Sequence, residues 1–201
     1  MAAPGGATMG GMRVERVSGA ETVGLRRRVL RPHQQLDEVV FPGDGDPDTA
    51  HVAMLGDDDE ILAVGTVLRQ GSPHAGTGER APGAPASEWR IRGMATAEGQ
   101  RRRGMGRAVL DALLAHVADH GGGMVWCNAR VPAVEFYRRA GFATRGEVWE
   151  EPDIGPHIVM ETRVGAARLT PGDGFDPGEG LTPGDGFDPG DGFTPGGRGG
   201  S

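Results

Sequence analysis

The chain reads Thr96-Ala-Glu-Gly-Gln-Arg-Arg-Arg-Gly-Met-Gly-Arg107 at the point where an apolar strand leads into a long helix. Residues 89–96 are predicted to form the strand, and apolar side chains at helical spacing predict the helix over residues 104–119. Unpaired N–H groups at a helix start and the positive end of the helix dipole favour anions. The stretch therefore predicts a phosphate-binding turn, in which Gly104 and Gly106 let the backbone approach the ligand closely.

Four arginines surround this turn and supply charge that a diphosphate would neutralise: Arg101, Arg102, Arg103 and Arg107. Two other nucleotide-binding motifs do not fit. The dinucleotide-binding motif needs a third glycine where this chain has Val109, and the chain contains no Gly-Lys-Ser/Thr triplet of the Walker type. Taken alone, Gly104-Met-Gly106 is equally typical of an ordinary turn with solvated arginines.

The remaining pattern predicts an α/β fold with a mixed, mostly antiparallel sheet. Helices are expected after Ser18, which is a suitable N-cap, and between Pro132 and Gly141, because proline suits a first helical turn and glycine a helix end. Further strands are expected at residues 12–17, 51–55, 61–68, 124–127, 142–149 and 157–164. Two long loops, Leu30–Thr49 and Gln70–Ser87, separate some of these elements.

Residues 101–106 resemble motif A of the GNAT superfamily of acyl-CoA N-acyltransferases, written Arg/Gln-x-x-Gly-x-Gly/Ala between a strand and a helix. Residues 128–142 are similar to a later motif of the superfamily. Three elements of that motif are in register: Ala133, Phe136-Tyr137 and Gly141-Phe142. Two motifs in the right order are more specific than either motif alone.

Two shorter stretches are most similar to the YjcF-like or ElaA-like subgroup, namely Asn128-Ala-Arg130 and Gly155-Pro-His157. The resemblance covers residues 12–164. It departs from the family at Gly93, where relatives place a larger residue, and after Ala97, where a proline is missing.

The resemblance implies the GNAT fold, with a central sheet of about six to seven strands flanked by helices. It places an acyl-CoA, expected to be acetyl-CoA, in a V-shaped opening between Met94–Thr96 and Met124–Cys127. Backbone groups of Met94, Ala95 and Thr96 would pair with the pantetheine arm, and the Met94 amide would polarise the thioester carbonyl. The other expected cofactor-binding residues are Arg101, Arg102, Arg103, Gly104, Met105, Gly106, Arg107, Asn128 and Tyr137.

The resemblance also places Tyr137 near the cofactor sulfur, where its hydroxyl would protonate the departing thiolate, a group that titrates near about 8.5 as a free thiol. The alternative for Tyr137 is a core aromatic residue whose hydroxyl bonds to the backbone. Asn128 and Arg130 would hold the pantetheine amide or the phosphates, although Asn128 is also a suitable helix cap.

A lysine-like amine titrates near about 10.4, so a base or a water chain must take its proton before attack. Four candidate bases are Glu88, Glu98, Glu151 and His157. His157 is the first choice, because imidazoles titrate in a suitable range and Gly-Pro-His occurs in the resembling subgroup; the alternative is a structural strand histidine. Cys127 is interpreted as a small buried hydrophobe, and His116 and His120 as surface residues without a zinc motif, so no metal is expected.

Together these features predict an N-acetyltransferase that moves an acetyl group from acetyl-CoA to a primary amine by direct attack through a tetrahedral intermediate. One alternative is a CoA-binding sensor or scaffold module without turnover. Another is transfer of a different acyl group such as succinyl, which would need a cation near the thioester. The acceptor is expected to be a small-molecule or peptide amine. Acidic residues in the first long loop indicate either a cationic amine or simple solvation: Asp37, Glu38, Asp44, Asp46 and Asp48.

The amino-acid composition limits the binding partners and the cellular location that are expected. The 201-residue chain carries 21 Lys and Arg against 28 Asp and Glu, an acidic balance that argues against nucleic acid as a partner. With one cysteine, no stretch that resembles a secretion leader and no apolar run long enough for a membrane, a cytoplasmic location is expected. The sequence leaves the oligomeric state open, with a homodimer as one option because dimers are common in the family.

Both ends of the chain differ in composition from the middle. Residues 1–11 are rich in Gly, Ala and Pro, and residues 166–201 contain a Gly/Pro/Asp-rich repeat that begins at Leu169 and again at Leu181. Such segments bury too little apolar surface to offset chain entropy, so both are expected to be disordered around one catalytic domain over residues 12–165. The repeat lacks the bidentate Glu and the spacing of an EF-hand calcium loop.

Overall fold

The computed structural model describes residues 8–9, 11–32, 40–72 and 88–167. Eight strands and three α-helices follow one another along the chain. They are β1 (Thr8–Met9), β2 (Met12–Val17), α1 (Gly19–Leu30), β3 (Ala50–Leu55), β4 (Ile61–Arg69), β5 (Glu88–Thr96), α2 (Met105–Asp119), β6 (Gly123–Arg130), α3 (Val134–Arg139), β7 (Ala143–Glu151) and β8 (Gly155–Val164). A short 3-10 turn, Val131–Ala133, leads into α3.

The strands form one sheet in the order β1-β2-β3-β4-β5-β6-β8-β7. Only β5 and β6 run parallel, and every other neighbouring pair is antiparallel. This arrangement confirms the predicted α/β fold with a mixed, mostly antiparallel sheet flanked by helices. The strand count exceeds the expectation by one because Thr8 and Met9 pair with β2. These two residues are therefore not disordered, while residues 1–7, residue 10 and residues 168–201 lie outside the described residues.

Helix α1 begins with a complete capping box. The Ser18 hydroxyl accepts a hydrogen bond from the Glu21 amide at 3.4 Å, and the Glu21 carboxylate accepts one from the Ser18 amide at 2.7 Å. The backbone hydrogen bond from Ser18 lowers the pKa of Glu21. This reciprocal pair satisfies N–H groups that a helix start otherwise leaves unpaired, and it confirms the predicted cap.

Helix α2 packs its apolar side against one face of the sheet. Six of its side chains are buried: Met105, Val109, Leu110, Leu113, His116 and Val117. The five apolar ones share a cluster with Trp89 and Ile91 of β5. Each fully buried aliphatic side chain of this kind stabilises the fold by about 1.5–3 kcal/mol, so this contact fixes α2, and with it the preceding turn, against β5.

The opposite face of the sheet, against α1, contains a buried polar cluster. Arg26 of α1 is completely buried, and its guanidinium donates to the Asp44 carboxylate at 2.7 Å and to the Thr66 hydroxyl. His51 approaches Thr66 Oγ1 at 2.8 Å and the Asp44 carbonyl at 2.8 Å. A buried charge is tolerated only when it is paired and hydrogen-bonded in this way, so the cluster ties α1 to β3, β4 and the loop at Asp44.

Strand β5 contains a bulge at Gly93. The register with β4 passes from Arg92 opposite Thr66 to Ala95 opposite Val64, so two β5 residues lie opposite Gly65. Gly93 has a φ of +64°, and a Cβ atom at this position would lie 2.6 Å from Arg26 Nε. The departure from relatives at Gly93 therefore has a local cause, because both the left-handed backbone and the buried guanidinium require glycine.

The interpretation of His116 as a surface residue is wrong. His116 is only 4 % exposed, and its Nε2 lies 2.9 Å from the Asp48 carbonyl while its Nδ1 contacts the Arg16 guanidinium. Burial lowers the pKa of His116, the Asp48 hydrogen bond opposes this effect, and the Arg16 charge reinforces it. The residue lies on the buried stripe of α2, whereas His120, at the end of the helix, is exposed as expected.

Candidate active site

A cleft opens where β5 and β6 separate. The two strands pair only between Glu88–Arg90 and Met124–Trp126, and beyond these residues no pairing joins them. The V-shaped opening predicted between Met94–Thr96 and Met124–Cys127 is therefore correct for β5 and wrong for most of β6. Met124–Trp126 belong to the closed end, and the residues that face the opening are the later ones of β6.

The cleft has a volume of about 390 Å³ and is bounded by both strands, α1, α3 and the β7–β8 turn. Its β5 and β6 walls contain Arg90–Met94 and Asn128–Arg130. Ala133, Tyr137, Glu151, Ile154 and His157 complete one side, and Leu30, Arg31 and Phe41 the other. The cleft thus brings together residues from both halves of the sheet.

The turn before α2 has the features of an anion site. Gly104 is the N-cap with a φ of +83°, no side chain caps the helix, and its first turn contains no acidic residue. The first backbone N–H to bond within the helix region is that of Ala108, to the Gly104 carbonyl at 3.0 Å. The amides before it are free for a ligand, since a helix start leaves such groups unpaired unless a side chain caps them.

The arginines of this turn are exposed and surround the helix start. Arg101, Arg102 and Arg103 are exposed, and Arg102 adopts a φ of +66°. Arg103 donates to the Gln100 side chain. Arg107 is less available to a ligand, because its Nε donates to the Asp111 carboxylate at 2.8 Å and its NH1 donates to the Arg139 carbonyl at 3.0 Å. Met105 is buried beneath the turn, and Gly106 lies against Thr96, which would be 3.3 Å from a Cβ atom there.

The three predicted strand-end residues differ in position. Met94 lines the cleft, Ala95 is buried in a small cluster with Leu25 and Val64, and Thr96 contacts the start of α2. On their β4 side, Ala95 and Thr96 are paired in the antiparallel ladder. On their β6 side, no strand pairs with them, so an extended ligand can use these backbone groups as another strand would.

Tyr137 lies at the cleft and is 6 % exposed. Burial raises its pKa well above the ordinary value, and the interaction of its side chain with Cys127 adds to the rise. Burial also raises the pKa of the Cys127 thiol, to about 12, so this thiol is neutral and a poor nucleophile. The alternative in which the Tyr137 hydroxyl bonds to the backbone is not what the structure contains, because its polar neighbour is Cys127.

His157 also lines the cleft, and only 8 % of it is exposed. Its Nδ1 lies 2.7 Å from the Gly155 carbonyl, and its ring stacks on Trp149 with centroids 5.8 Å apart. Because a carbonyl can only accept, Nδ1 carries the hydrogen of the neutral ring and Nε2 keeps its lone pair. Trp149 donates to Glu151 at 3.2 Å, so Glu151, Trp149 and His157 form a connected group at the cleft.

The other predicted site residues are less central. Glu88 bonds to the Ser72 amide at the closed end, and Glu98 is exposed in the turn after β5; neither lines the cleft. Asn128 is exposed on β6 and lines the cleft. It caps no helix, because the 3-10 turn begins after Arg130 and α3 after Ala133. The helix-cap alternative for Asn128 is therefore wrong.

Among its described residues, the acidic loop contributes no carboxylate to the lining of the cleft. Asp44 is buried between Arg26 and Arg92, and Asp48 pairs with Arg69 at 2.6 Å. Burial would raise the pKa of Asp44, but the hydrogen bonds from Arg26 and Phe41 and the charges of Arg26 and Arg92 outweigh it and lower the pKa. Asp37 and Glu38 lie outside the described residues.

Two arginines of β5 that line the cleft were not predicted from the sequence, although the signal was present. Arg90 and Arg92 alternate with the buried Trp89 and Ile91 of β5, and side chains of a strand alternate between faces. Both arginines therefore lie on the same face, opposite α2. Within the described ranges, no cluster of His, Cys, Asp or Glu side chains is arranged to hold a metal ion, and no helix is long and apolar enough to cross a membrane.

Comparison with known proteins agrees with this geometry. Residues 23–142 match the Acetyltransferase (GNAT) family, a span that covers the turn before α2, strands β5 and β6 and Tyr137. The protein YitI of Bacillus subtilis strain 168, an uncharacterized N-acetyltransferase, is 30 % identical over 157 residues, which cover 78 % of this chain and 99 % of YitI. The chain therefore belongs to the GNAT family of acetyltransferases and is an acyltransferase.

Solved structures of low sequence identity share the fold. Escherichia coli ElaA is 19 % identical, with a TM-score of 0.57, and the match covers 75 % of this chain and 98 % of ElaA. An aminoglycoside 6'-N-acetyltransferase, solved in complex with coenzyme A, is 14 % identical, with a TM-score of 0.54 and coverage of 75 % and 96 % of the two chains. The fold and the family membership predicted from the motifs are thus confirmed.

Proposed function

We propose that this acetyltransferase takes its acetyl group from acetyl-CoA and transfers it to a primary amine by direct attack. One observation carries the proposal. An uncapped helix start surrounded by exposed arginines meets an opening between two strands, so phosphates and an extended acyl-bearing arm can be held at the same time. Because no side chain caps the helix, its first amides stay available to bind the phosphates of the ligand.

The residues fit the parts of acetyl-CoA in order. The diphosphate would lie on the amides of Gly104, Met105 and Gly106, with Arg101–Arg103 neutralising its charge and Arg107 contributing less because it is already paired. The pantetheine arm would pair with the unpartnered side of Met94–Thr96. Asn128, exposed across the cleft, supplies an amide side chain that can donate to or accept from the arm.

The reaction that follows needs three protein contributions. The amine nitrogen forms a bond to the thioester carbon, the carbon–sulfur bond breaks, and its electron pair leaves on sulfur. Met94 lies at the bulge and lines the cleft, and its amide would stabilise charge that develops on the carbonyl oxygen. The Tyr137 hydroxyl would hydrogen-bond to the departing sulfur. Its raised pKa keeps it protonated, so it acts as a permanent donor to the thiolate.

His157 is the base that we assign to the proton lost by the amine. Its Nδ1 hydrogen is fixed by the Gly155 carbonyl at 2.7 Å, which leaves the Nε2 lone pair as the acceptor. Among the described residues, no hydrogen-bond partner occupies Nε2. Glu151 is the other candidate base that lines the cleft, but one of its oxygens already accepts from Trp149. The proton would reach Nε2 directly or through one water.

The first experiment is calorimetric titration of acetyl-CoA into the wild type and into an Arg103→Glu/Gly104→Glu double variant, followed by a thiol-release assay across a panel of amines. A matched control is Arg163→Glu/Gly121→Glu. Arg163 is exposed on β8, and Gly121 has a φ of +92° with no neighbour within 4 Å of a Cβ atom. The control therefore carries the same change in charge and a similar backbone strain at a site remote from the turn before α2.

The expected result is acetyl-CoA binding in the wild type and the control, loss of binding in the first variant, and thiol release with at least one amine. Binding without release from any amine would favour the CoA-sensing module instead. Absence of binding in the wild type would contradict both functions. Similar loss of binding in both double variants would show that charge or folding, and not the helix start, determines the affinity.

A second experiment separates the two proposed catalytic side chains. Tyr137→Phe and His157→Ala should each lower kcat about a hundredfold or more, the usual size of general acid or base contributions. Added imidazole should restore part of the activity of His157→Ala and none of that of Tyr137→Phe. His120→Ala is the control, since His120 is exposed outside the cleft. A histidine with a purely structural role would show no rescue by imidazole.

A further inference from the structure

Arg90 presents a cation to the cleft, and no carboxylate of the described residues forms an ion pair with it. It lines the cleft, its NH1 donates to the Gln70 side chain at 3.3 Å, and its guanidinium lies over the Trp126 ring at 4.8 Å. Its Nε is buried and has no hydrogen-bond partner. Burial lowers the pKa of Arg90. An arginine that is partly desolvated and unpaired in this way is stabilised by an external anion.

The surroundings of Arg90 carry an excess of positive charge. The one buried carboxylate on this face, Asp44, is shared by Arg26 at 2.7 Å and Arg92 at 3.4 Å, and it forms no ion pair with Arg90. Arg92 also donates to the Pro42 carbonyl, and its Nε is likewise buried without a partner. The charges of Arg90 and Arg26 both lower the pKa of Arg92. The guanidinium groups therefore repel one another across the cleft wall.

The phosphates of acetyl-CoA are not the natural partner of this cation. Trp89, the neighbour of Arg90 in β5, contacts His116 of α2, with ring centroids 5.5 Å apart. Because side chains alternate along a strand, Arg90 lies on the opposite face of the sheet from α2 and its phosphate-binding start. The anion that Arg90 suits must therefore belong to the reacting end of the substrates.

We infer that the cleft takes a substrate carboxylate at Arg90, so that the acceptor is an amine that also carries a carboxylate, as amino acids do. This inference rests on the proposed function and names the substrate class of the same site. A planar, singly charged carboxylate matches the fork of one guanidinium, and Arg31, which also lines the cleft, forms no ion pair within the described residues. The same chemistry could reside on the acyl group, as in succinyl-CoA.

The experiment compares amino acids with their own carboxamides as acceptors. The protein is the full chain with acetyl-CoA as donor, and the variants are Arg90→Gln, Arg90→Lys and Arg69→Gln. Arg69 stacks on Trp89 at 4.1 Å outside the cleft, so its variant controls for loss of an arginine over a tryptophan. For each pair, kcat/KM is measured by thiol release, and the affinity of each member is measured by calorimetry with the protein saturated with CoA.

We expect the wild type to favour the amino acid over its carboxamide by roughly tenfold or more, since a hydrogen bond to a charged group is of that strength. Arg90→Gln should abolish the preference by lowering kcat/KM for the amino acid to the level of its carboxamide, and it should leave the acetyl-CoA affinity unchanged. Arg90→Lys should keep part of it, and Arg69→Gln all of it. The melting temperature of Arg90→Gln should fall only slightly, because the variant loses one 3.3 Å hydrogen bond and a contact with the Trp126 ring but no ion pair among the described residues.

The outcomes separate this inference from the proposed function. Acetyl-CoA binding with equal use of both members of every pair, or a preference that survives Arg90→Gln, would overturn the carboxylate site alone. If no thiol is released, unequal binding to the CoA complex still supports the site, and equal binding overturns it. A preference for succinyl-CoA over acetyl-CoA that Arg90→Gln removes would support the site and assign the carboxylate to the acyl group. Failure to bind acetyl-CoA would overturn the proposed function first.

Discussion

Helices α1 and α2 both follow a strand, yet their first turns are organised in opposite ways. In α1, Ser18 and Glu21 satisfy the amides of the helix start, and the carboxylate complements the helix dipole. In α2, the N-cap is Gly104, no side chain caps the helix, and the first turn has no acidic residue. A capped start stabilises the fold itself, whereas an uncapped start becomes stable when a ligand supplies the anion.

The arginines of the two helices show the same contrast, because one supports the fold and the others are available to a ligand. Arg26 of α1 is buried and bound to Asp44, so it holds the helix against the sheet. Arg101–Arg103 before α2 are exposed and form no ion pair among the described residues. The comparison predicts that changes at α1 alter stability without altering affinity for acetyl-CoA, and that changes at the start of α2 do the reverse.

The largest expected effect is on the α1 side. Asp44→Asn should lower the free energy of unfolding by about 3–5 kcal/mol, because it leaves a buried guanidinium without its carboxylate. The control is Asp48→Asn, which breaks the more exposed pair with Arg69 and should cost no more than about 1 kcal/mol. Urea denaturation measures both. Equal losses would show that the buried pair does not anchor α1.

The same carboxylate makes stability depend on pH. The lowered pKa of Asp44 means that the folded protein keeps it ionised where an unfolded chain, with an aspartate pKa of about 3.9, begins to bind a proton. Its contribution is therefore present above that value and is lost as the pH falls through the folded pKa. The gap in stability between wild type and Asp44→Asn should narrow below about pH 4. A gap that stays constant at low pH would contradict this assignment.

The next effect concerns affinity and uses the same substitution in both helices. Gly106→Glu places a carboxylate in the first turn of α2 and should weaken acetyl-CoA binding about a hundredfold, since it opposes a dipole and amides that favour anions. Gly24→Glu, in the middle of α1 where no atom lies within 4 Å of a Cβ, should leave binding unchanged and stabilise the helix by about 0.5–1 kcal/mol. If calorimetry finds equal affinities for the two variants, the prediction that the start of α2 and not α1 binds acetyl-CoA is contradicted.

A smaller effect is expected at the cap of α1. Ser18→Ala should cost about 1 kcal/mol of stability, because the Glu21 amide loses its acceptor, and should leave acetyl-CoA affinity unchanged. Ser18→Asp keeps a capping oxygen and should retain most of the stability. Thermal melting and calorimetry on both variants test this, and a drop in affinity with Ser18→Ala would mean that the two helix starts are coupled.

The smallest expected effect comes from comparing two arginines near the start of α2, Arg107 and Arg101. Arg107→Gln removes an exposed pair with Asp111 and should lower stability by about 0.3–0.5 kcal/mol. Because Arg107 is already bonded to Asp111 and to the Arg139 carbonyl, its loss should weaken acetyl-CoA binding less than the loss of Arg101 does. Calorimetric titration of Arg107→Gln and Arg101→Gln gives the order, and a larger loss for Arg107 would reverse it.

Local sequence signals predicted the elements well. The cap at Ser18, the apolar side of α2 and the glycine-bearing turn before it each depend on residues that are close in the chain, so periodicity and capping rules suffice. The features that were missed depend on pairing between distant segments. Three features depend on contacts with residues that are distant in the sequence, which local patterns do not specify. They are the closed end at Met124–Trp126, the extra strand at Thr8–Met9 and the burial of His116.

The site was predictable to a similar extent. Tyr137 and His157 are both predicted from the sequence, and both line the cleft. Arg90 was overlooked even though the alternation of Trp89, Arg90 and Ile91 shows on which face it lies. The alternation of side chains shows on which face of β5 Arg90 lies. It does not show that β5 separates from β6, and this separation makes that face part of a cleft.

The short parallel contact between β5 and β6 also divides the molecule. Strands β1–β5 pair with one another and β6–β8 pair with one another. Within the described part of the chain, Glu88–Arg90 against Met124–Trp126 is the one ladder that joins the two groups. A ligand that spans the opening would act as a removable cross-link between these halves, worth about 2.7 kcal/mol when present at a hundred times its dissociation constant. Acetyl-CoA would then be part of what completes folding, and a chain cut at the exposed Gly121 would reassemble more readily in its presence.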